Sequence, residues 1–141
     1  MVQIIDNFVD KDLYLQIKNT LFSDSLPWFS KKGTVNGKKN DLNWFSHSIY
    51  NDFKPNSNIF SFMPEFIEKL KISSIIEIRT NLSFKTNKDF KTLWHTDYGY
   101  KNHKTAIFYF NTDTTGTVFK IKNKEKLIKA KENRIVIFDG S

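Results

Sequence analysis

The fold is decided by residues 75–84, which read Ile75-Ile76-Glu77-Ile78-Arg79-Thr80-Asn81-Leu82-Ser83-Phe84. Side chains alternate between the two faces of a strand, so this stretch has an apolar and a polar face. The apolar face carries Ile76, Ile78, Leu82 and Phe84, and the polar face carries Glu77, Arg79, Asn81 and Ser83. A polar inner face is typical of a barrel that encloses a wet cavity. The alternative is an ordinary amphipathic strand whose polar face meets solvent, and this stretch alone favours that alternative.

The residues before this stretch predict helices. Asp10 can cap a helix at 11–22, and a second apolar stripe at 56–71 predicts a helix that begins near Pro64. We also predict a short edge strand at 2–5, a strand at 44–50, and a hairpin or mobile loop at 28–40. Residues 1–73 therefore form a predicted helical region that supports a β core.

The residues after this stretch predict further strands. They fall at 93–97, 105–111 and 134–138, with a hairpin at 118–131 that carries Lys120, Lys122, Lys124 and Lys126 on one side. Helices followed by short strands favour an α+β fold. We predict one domain, 1–141, whose core at 74–141 is a jelly-roll or cupin-like double-stranded β-helix with the helices packed outside.

Two residues of the predicted strand 93–97 can bind a metal. His95 and Asp97 stand at positions i and i+2, which share one side of a strand. An imidazole nitrogen beside a carboxylate oxygen is two thirds of the 2-His-1-carboxylate triad that holds non-haem Fe(II). His-x-Asp alone recurs by chance in many chains, so the neighbouring strand-like runs give the pattern its weight.

The composition limits the class of protein. The chain of 141 residues is 39% apolar and contains 14 Phe, which suffices for a core, and it has no Cys. Disulfides and thiolate metal sites are therefore excluded, and a metal must use His, Asp or Glu. No apolar run approaches the ~18 residues of a membrane span, and the N-terminus lacks a signal-peptide pattern. We expect a cytoplasmic protein with no membrane association.

The net charge of +7 is compatible with an acidic partner, including nucleic acid. An AT-rich coding sequence also yields abundant Lys, Asn, Ile and Phe, in which case most of the lysines simply face water. The aromatic residues lie mostly on apolar strand faces, and not between the basic residues as base stacking requires. A basic nucleic-acid-binding domain is therefore the least favoured interpretation.

Five runs appear in an informative order. They are Arg79-Thr80-Asn81-Leu82, Trp94-His95-Thr96-Asp97-Tyr98, Thr105-Ala106-Ile107-Phe108-Tyr109-Phe110-Asn111, Gly116-Thr117-Val118-Phe119 and Asn133-Arg134-Ile135-Val136-Ile137-Phe138-Asp139. This series resembles the 2-oxoglutarate/Fe(II)-dependent dioxygenases on the prolyl 4-hydroxylase-like side of that superfamily. The runs at 4–8 and 45–52 look like the small oxygenases of marine phages and bacteria. The resemblance is close from about residue 75 onward.

The resemblance implies an oxidoreductase that hydroxylates a small-molecule or peptidyl substrate with Fe(II) and 2-oxoglutarate. His95 and Asp97 match the first histidine and the carboxylate of the metal triad. Asn81 matches a side chain that hydrogen-bonds the cosubstrate. Tyr109 matches the tyrosine whose hydroxyl meets the distal carboxylate of 2-oxoglutarate, and Thr105 and Ile107 share its strand face.

The resemblance breaks after Asp139. In the family, the second histidine and the Arg or Lys that pairs with 2-oxoglutarate follow this strand, and neither His47 nor His103 matches that position. We expect those two histidines at the surface or beside the ligands. We expect the second metal-binding histidine beyond the given C-terminus, in a domain that is truncated here. A cupin-like binding module without catalysis remains an open alternative.

Overall fold

The computed structural model describes residues 1–32, 43–87, 90–122 and 124–140. They form an α+β fold with antiparallel sheets, as the sequence predicts. The elements are β1 (Val2–Asp6), α1 (Lys11–Leu21), β2 (Phe29–Lys31), β3 (Trp44–Asn51), β4 (Lys54–Pro55), a 3-10 turn (Asn58–Phe62), α2 (Met63–Leu70), β5 (Ile78–Leu82), β6 (Lys104–Tyr109), β7 (Gly116–Ile121), β8 (Lys124–Lys129) and β9 (Arg134–Asp139). Most of the hairpin or loop predicted at 28–40 lies outside the described residues.

The chain divides into two compact units, and each is described here by itself. One unit combines Met1–Tyr14 with Thr96–Ser141, and the other is Leu15–His95. The predicted single domain, with its boundary between residues 73 and 74, stays a prediction.

The first unit contains a three-stranded antiparallel sheet in the order β1-β9-β6. Ile135 and Val136 on the central strand are almost fully buried, which explains the apolar run there. Phe108 on β6 packs edge-on against Phe8 and Tyr14. The Tyr14 hydroxyl donates to the Phe110 carbonyl at 2.9 Å, so the start of α1 is fixed to this sheet.

The hairpin of β7 and β8 packs against the other face of the same sheet. Phe119 contacts Phe138 with ring centroids 4.8 Å apart, edge to face. The prediction that Lys120, Lys122, Lys124 and Lys126 share one side of the hairpin is wrong. Lys120 lies opposite Glu125 and Phe119 lies opposite Lys126, so Lys120 and Lys126 are on different faces.

The second unit is built around β3. Strands β2 and β4 pair with one edge of β3, and β5 pairs with the other. The apolar stripe predicted at 56–71 forms the 3-10 turn and then α2, which has Pro64 in its first turn and ends at a left-handed Lys71. The buried apolar side chains of this unit are Ile17, Leu21, Ile49, Ile59, Met63 and Phe66.

Two expectations differ from the structure. Residues 93–97 form no strand, because no described strand pairs with them through backbone hydrogen bonds. The described strands also form separate open sheets without a closed barrel. No described helix is long and apolar enough to cross a membrane.

Candidate functional site

The proposed metal ligands lie in the irregular stretch 90–100. His95 and Asp97 are both exposed and belong to no described strand. The rule that residues i and i+2 share a strand face therefore does not apply to them in this structure. Metal binding by this pair stays a prediction that rests on residue type and spacing.

The imidazole of His95 makes one local hydrogen bond. Its Nδ1 lies 2.8 Å from the carbonyl oxygen of Leu93. A carbonyl oxygen can only accept, so Nδ1 is the donor of this bond, and in the neutral ring Nε2 is the nitrogen with the lone pair. A neutral imidazole in that state is a competent metal ligand, and a hydrogen bond on the other ring nitrogen is the usual way to orient one.

An Fe(II) facial triad needs three protein ligands, and the sequence predicts two of them, His95 and Asp97. Within ranges 1–32, 43–87, 90–122 and 124–140, no three His, Asp or Glu side chains are grouped so that they could hold a metal ion. The donor types of His95 and Asp97 suit Fe(II), and no third His, Asp or Glu among the described residues is grouped with them.

His47 lies inside the second unit, which differs from the expected surface or ligand-side position. It is 6% exposed on β3, and its Nδ1 lies 2.8 Å from the Pro27 carbonyl oxygen. Its ring meets Trp28 edge-on, with centroids 6.5 Å apart. The buried Nε2 has no hydrogen-bond partner among the described residues. His47 is therefore a buried residue of β3 whose ring is held by the Pro27 carbonyl oxygen, and the sequence carried no signal for its burial.

His103 is half-buried in the first unit. Its Nδ1 lies 2.8 Å from the Tyr100 carbonyl oxygen, and its ring meets Tyr98 edge-on. A Cβ added to Gly140 would lie 2.1 Å from Nε2, so the imidazole packs directly on that backbone. The Gly140 amide also donates to the His103 carbonyl oxygen at 3.1 Å, so the residue joins the loop to the end of β9.

Tyr109 ends β6 and shares a sheet face with Thr105 and Ile107, as the alternation predicts. Its hydroxyl lies 2.6 Å from the Thr117 hydroxyl on β7. Burial raises the pKa of the Tyr109 phenol, and the hydrogen bond from Thr117 partly opposes that rise. The phenol is therefore protonated at neutral pH and remains able to donate a hydrogen bond.

The sequence did not single out two neighbours of Tyr109. The Tyr109 hydroxyl contacts Thr117 because the β7–β8 hairpin folds over the sheet. Arg134 stands directly opposite Tyr109 in the β6–β9 register. The only sequence signal for Thr117 was its place beside Gly116 in the fourth family-like run.

Asn81 lies on β5 opposite Ser46 of β3. Its Oδ1 accepts a hydrogen bond from the Ser46 hydroxyl at 3.3 Å, and its own side chain is exposed. The residue therefore stands on the polar face that the alternation in 75–84 predicts. Binding of a cosubstrate by Asn81 and Tyr109 stays a prediction.

That polar face lines a cleft of about 370 Å³ in the second unit. The cleft is bounded by β2, β3 and the start of β5, and its lining residues are Phe29, Lys31, Trp44, Ser46, Ser48, Asn51, Glu77 and Arg79. The register shifts between Ser48 and Tyr50, which marks a β-bulge. A bulge changes the phase of the alternation, and this lets Asn51 line the same cleft as Ser48.

An ion pair forms one wall of the cleft. Arg79 Nη1 donates to Glu77 Oε2 at 2.6 Å, and the Arg79 guanidinium lies 5.9 Å from the centroid of the Trp44 ring. The side chains of Glu77 and Arg79 are only 18% and 29% exposed, so the polar face of 75–84 is partly covered and does not simply face solvent.

No family model, curated protein or solved structure matches this chain. Its function must therefore be argued from its own residues.

Proposed function

We propose that this chain is a non-haem Fe(II) and 2-oxoglutarate-dependent dioxygenase domain of jelly-roll type, which hydroxylates a small-molecule or peptidyl substrate. The ordered series of family-like runs carries the proposal. The structure supports it in one respect. Strands β6 and β9 hold two of these runs and pair as antiparallel neighbours, and the β7–β8 hairpin lies between them in the sequence. Nested antiparallel pairing of this kind suits a jelly roll.

His95 and Asp97 are the proposed metal ligands, with His95 Nε2 and a carboxylate oxygen as donors. In the resembling family the third ligand is a histidine that follows the strand matched by β9, and no described residue takes its role. When bound, Fe(II) with 2-oxoglutarate would supply the activation of O₂ that C–H hydroxylation requires.

Tyr109 is the proposed donor to the distal carboxylate of 2-oxoglutarate. Its raised pKa keeps the phenol protonated, and a phenol carries one strong donor on a rigid ring. When the Thr117 hydroxyl donates to Tyr109, the phenol keeps its own hydrogen for a hydrogen bond to a ligand. Thr117 is thus a positioning residue, and Asn81 supplies a further hydrogen bond to the cosubstrate.

Metal binding tests the proposal most directly. Mn(II), a paramagnetic surrogate for Fe(II), is titrated into the ¹⁵N-labelled chain, and line broadening is followed residue by residue. We expect broadening centred on residues 93–99 that disappears in His95→Ala and in Asp97→Ala. The matched control is His103→Ala, which leaves the broadening unchanged. Broadening that survives both ligand substitutions would remove these residues from the site.

Turnover is tested by supplying the third ligand in solution. With Fe(II), O₂ and 2-oxoglutarate, we expect the 141-residue chain to release succinate only when imidazole is added. The release should be slow, because imidazole replaces the histidine ligand and not the Arg or Lys that pairs with 2-oxoglutarate in the resembling family. His95→Ala and Asp97→Ala should abolish that release. Succinate release without imidazole would mean that this chain completes its own metal site.

One observation favours the alternative of a cupin-like binding module without catalysis. The described residues hold no group of three metal ligands, and a domain that lost its chemistry would lack one. Such a module would bind small molecules whether or not Mn(II) is present. The unmodified chain and His95→Ala would then bind Mn(II) with the same weak affinity.

A further inference from the structure

The cleft between β2, β3 and β5 has the size and the lining of a small-molecule site. Its volume of about 370 Å³ lies within the ~300–1,000 Å³ that such sites span. It combines the exposed ring of Phe29 and the ring of Trp44 with hydroxyl, amide and charged groups. A ligand pocket usually combines aromatic surface with a small number of polar groups that point into the same space.

The charges of the cleft favour an anion. Among the described lining residues, Lys31 and Arg79 stand against one carboxylate, Glu77, so these three side chains together carry one positive charge. Glu77 is already paired with Arg79 at 2.6 Å, and Lys31 makes no ion pair with any described residue. The planar guanidinium of Arg79 carries five donors, an arrangement that matches a carboxylate.

Hydrogen-bond donors converge on the same space. Ser48 Oγ accepts from Asn56 Nδ2 at 3.2 Å, so its own hydrogen can be donated toward the cleft. Ser46 uses its hydrogen on Asn81 Oδ1, and the donors that line the cleft beside Ser48 are the charged groups of Lys31 and Arg79. A ligand that brings acceptor oxygens would satisfy these groups.

We propose that this cleft binds a small carboxylic acid with a flat apolar body. The carboxylate pairs with Arg79 and Lys31, and the apolar body packs on Phe29 and Trp44. This site goes beyond the proposed hydroxylation, because every residue that builds it belongs to the second unit and none is a proposed metal ligand.

The probe is phenylacetate, with two matched compounds that each lack one recognised feature. Phenylacetamide keeps the ring and loses the charge, and acetate keeps the charge and loses the ring. Binding is followed through the indole N–H signal of Trp44, which Trp44→Phe identifies. We expect saturable binding of phenylacetate in the absence of any metal, and binding at least tenfold weaker for both matched compounds.

Substitutions locate the site. We expect Arg79→Gln to weaken phenylacetate binding about tenfold, the usual loss of a hydrogen bond to a charged group. Lys31→Gln should weaken it about threefold, because this exposed cation is screened by solvent. Lys31 lies exposed on the edge strand β2, so its variant keeps the fold even if Arg79→Gln does not. The control Lys54→Gln changes an exposed lysine of the same unit outside the cleft.

Two results would overturn the proposal. One is phenylacetate binding that Lys31→Gln and Arg79→Gln leave unchanged. The other is 2-oxoglutarate binding in the cleft as tightly as phenylacetate, which would show that the flat apolar body contributes nothing to recognition. Neither result depends on Mn(II), so failure here is distinguishable from failure of the proposed metal site.

Discussion

Arg134 binds Asp6 at two points across the neighbouring strands β9 and β1. The guanidinium Nε lies 2.6 Å from Asp6 Oδ1, and Nη2 lies 3.1 Å from Oδ2. Lys131 adds a third contact at 2.8 Å. These hydrogen bonds, with that of Arg134 the largest cause, hold the pKa of Asp6 well below its usual 3.8.

Asp6→Asn should therefore destabilise the chain in a pH-dependent way. Asp6 is 36% exposed, so solvent screening limits the loss to about 1 kcal/mol at neutral pH. A carboxyl whose pKa is lowered on folding contributes stability above its unfolded pKa of ~3.9 and loses it as pH falls further. Urea unfolding at pH 7 and pH 3 should show the difference from the unmodified chain shrinking at low pH.

Asp24→Asn is the matched control for that measurement, because this exposed carboxylate makes no described ion pair. A difference between Asp6→Asn and the unmodified chain that is as large at pH 3 as at pH 7 would contradict the ionic origin of the effect.

Tyr109→Phe should weaken 2-oxoglutarate binding by about 1–3 kcal/mol, the range for a hydrogen bond to a charged group. The test is equilibrium binding with Mn(II) present. Tyr100→Phe serves as the control, since this tyrosine of the same unit is 61% exposed. An affinity that Tyr109→Phe does not change would remove Tyr109 from the cosubstrate site.

Thr117→Val should raise the pKa of Tyr109 further. Burial already raises it above 10.0, and the Thr117 hydroxyl opposes that rise by hydrogen-bonding the phenolate. Titration of the Tyr109 ring carbon by NMR, with the signal identified through Tyr109→Phe, measures the change. The exposed Thr92→Val should leave the titration as it is, and a downward shift in Thr117→Val would refute the assigned hydrogen bond.

Gly116→Ala should destabilise the β7–β8 hairpin strongly. A Cβ at Gly116 would lie 2.0 Å from the Ile128 carbonyl oxygen and 2.8 Å from the Ala130 nitrogen. Both are backbone atoms, so we expect the upper part of the ~1–3 kcal/mol range for overpacking. Gly99→Ala is the control, because nothing lies within 4 Å of the added Cβ. Equal unfolding midpoints for the two variants would contradict the close strand approach.

The sequence predicted the elements that depend on local periodicity. The helix predicted at 11–22 is observed as α1, and the strand predicted at 134–138 is observed as β9, because each carries an apolar pattern of the correct period. The two polar residues Glu77 and Arg79 were placed on one face correctly, but the cleft they line also needs β2 and β3, whose pairing no local pattern encodes.

The failures come from pairing and register. The stretch 93–97 has strand-forming residues but no described partner strand, so its alternation has no sheet to act on. The lysines of the β7–β8 hairpin alternate along each strand, yet the cross-strand register sets Lys120 against Glu125 and separates it from Lys126. Partners distant in sequence decide both outcomes.

The pairing of β1 with β9 has a consequence for biosynthesis. Residues 2–6 are translated well before their partners at 134–138. The sheet of the first unit can therefore form only after residue 138 has been synthesised, whereas all residues of Leu15–His95 are available earlier. Contacts of such large sequence separation slow folding. During translation the first strand must wait without its partner, and the second unit is the one that can fold first.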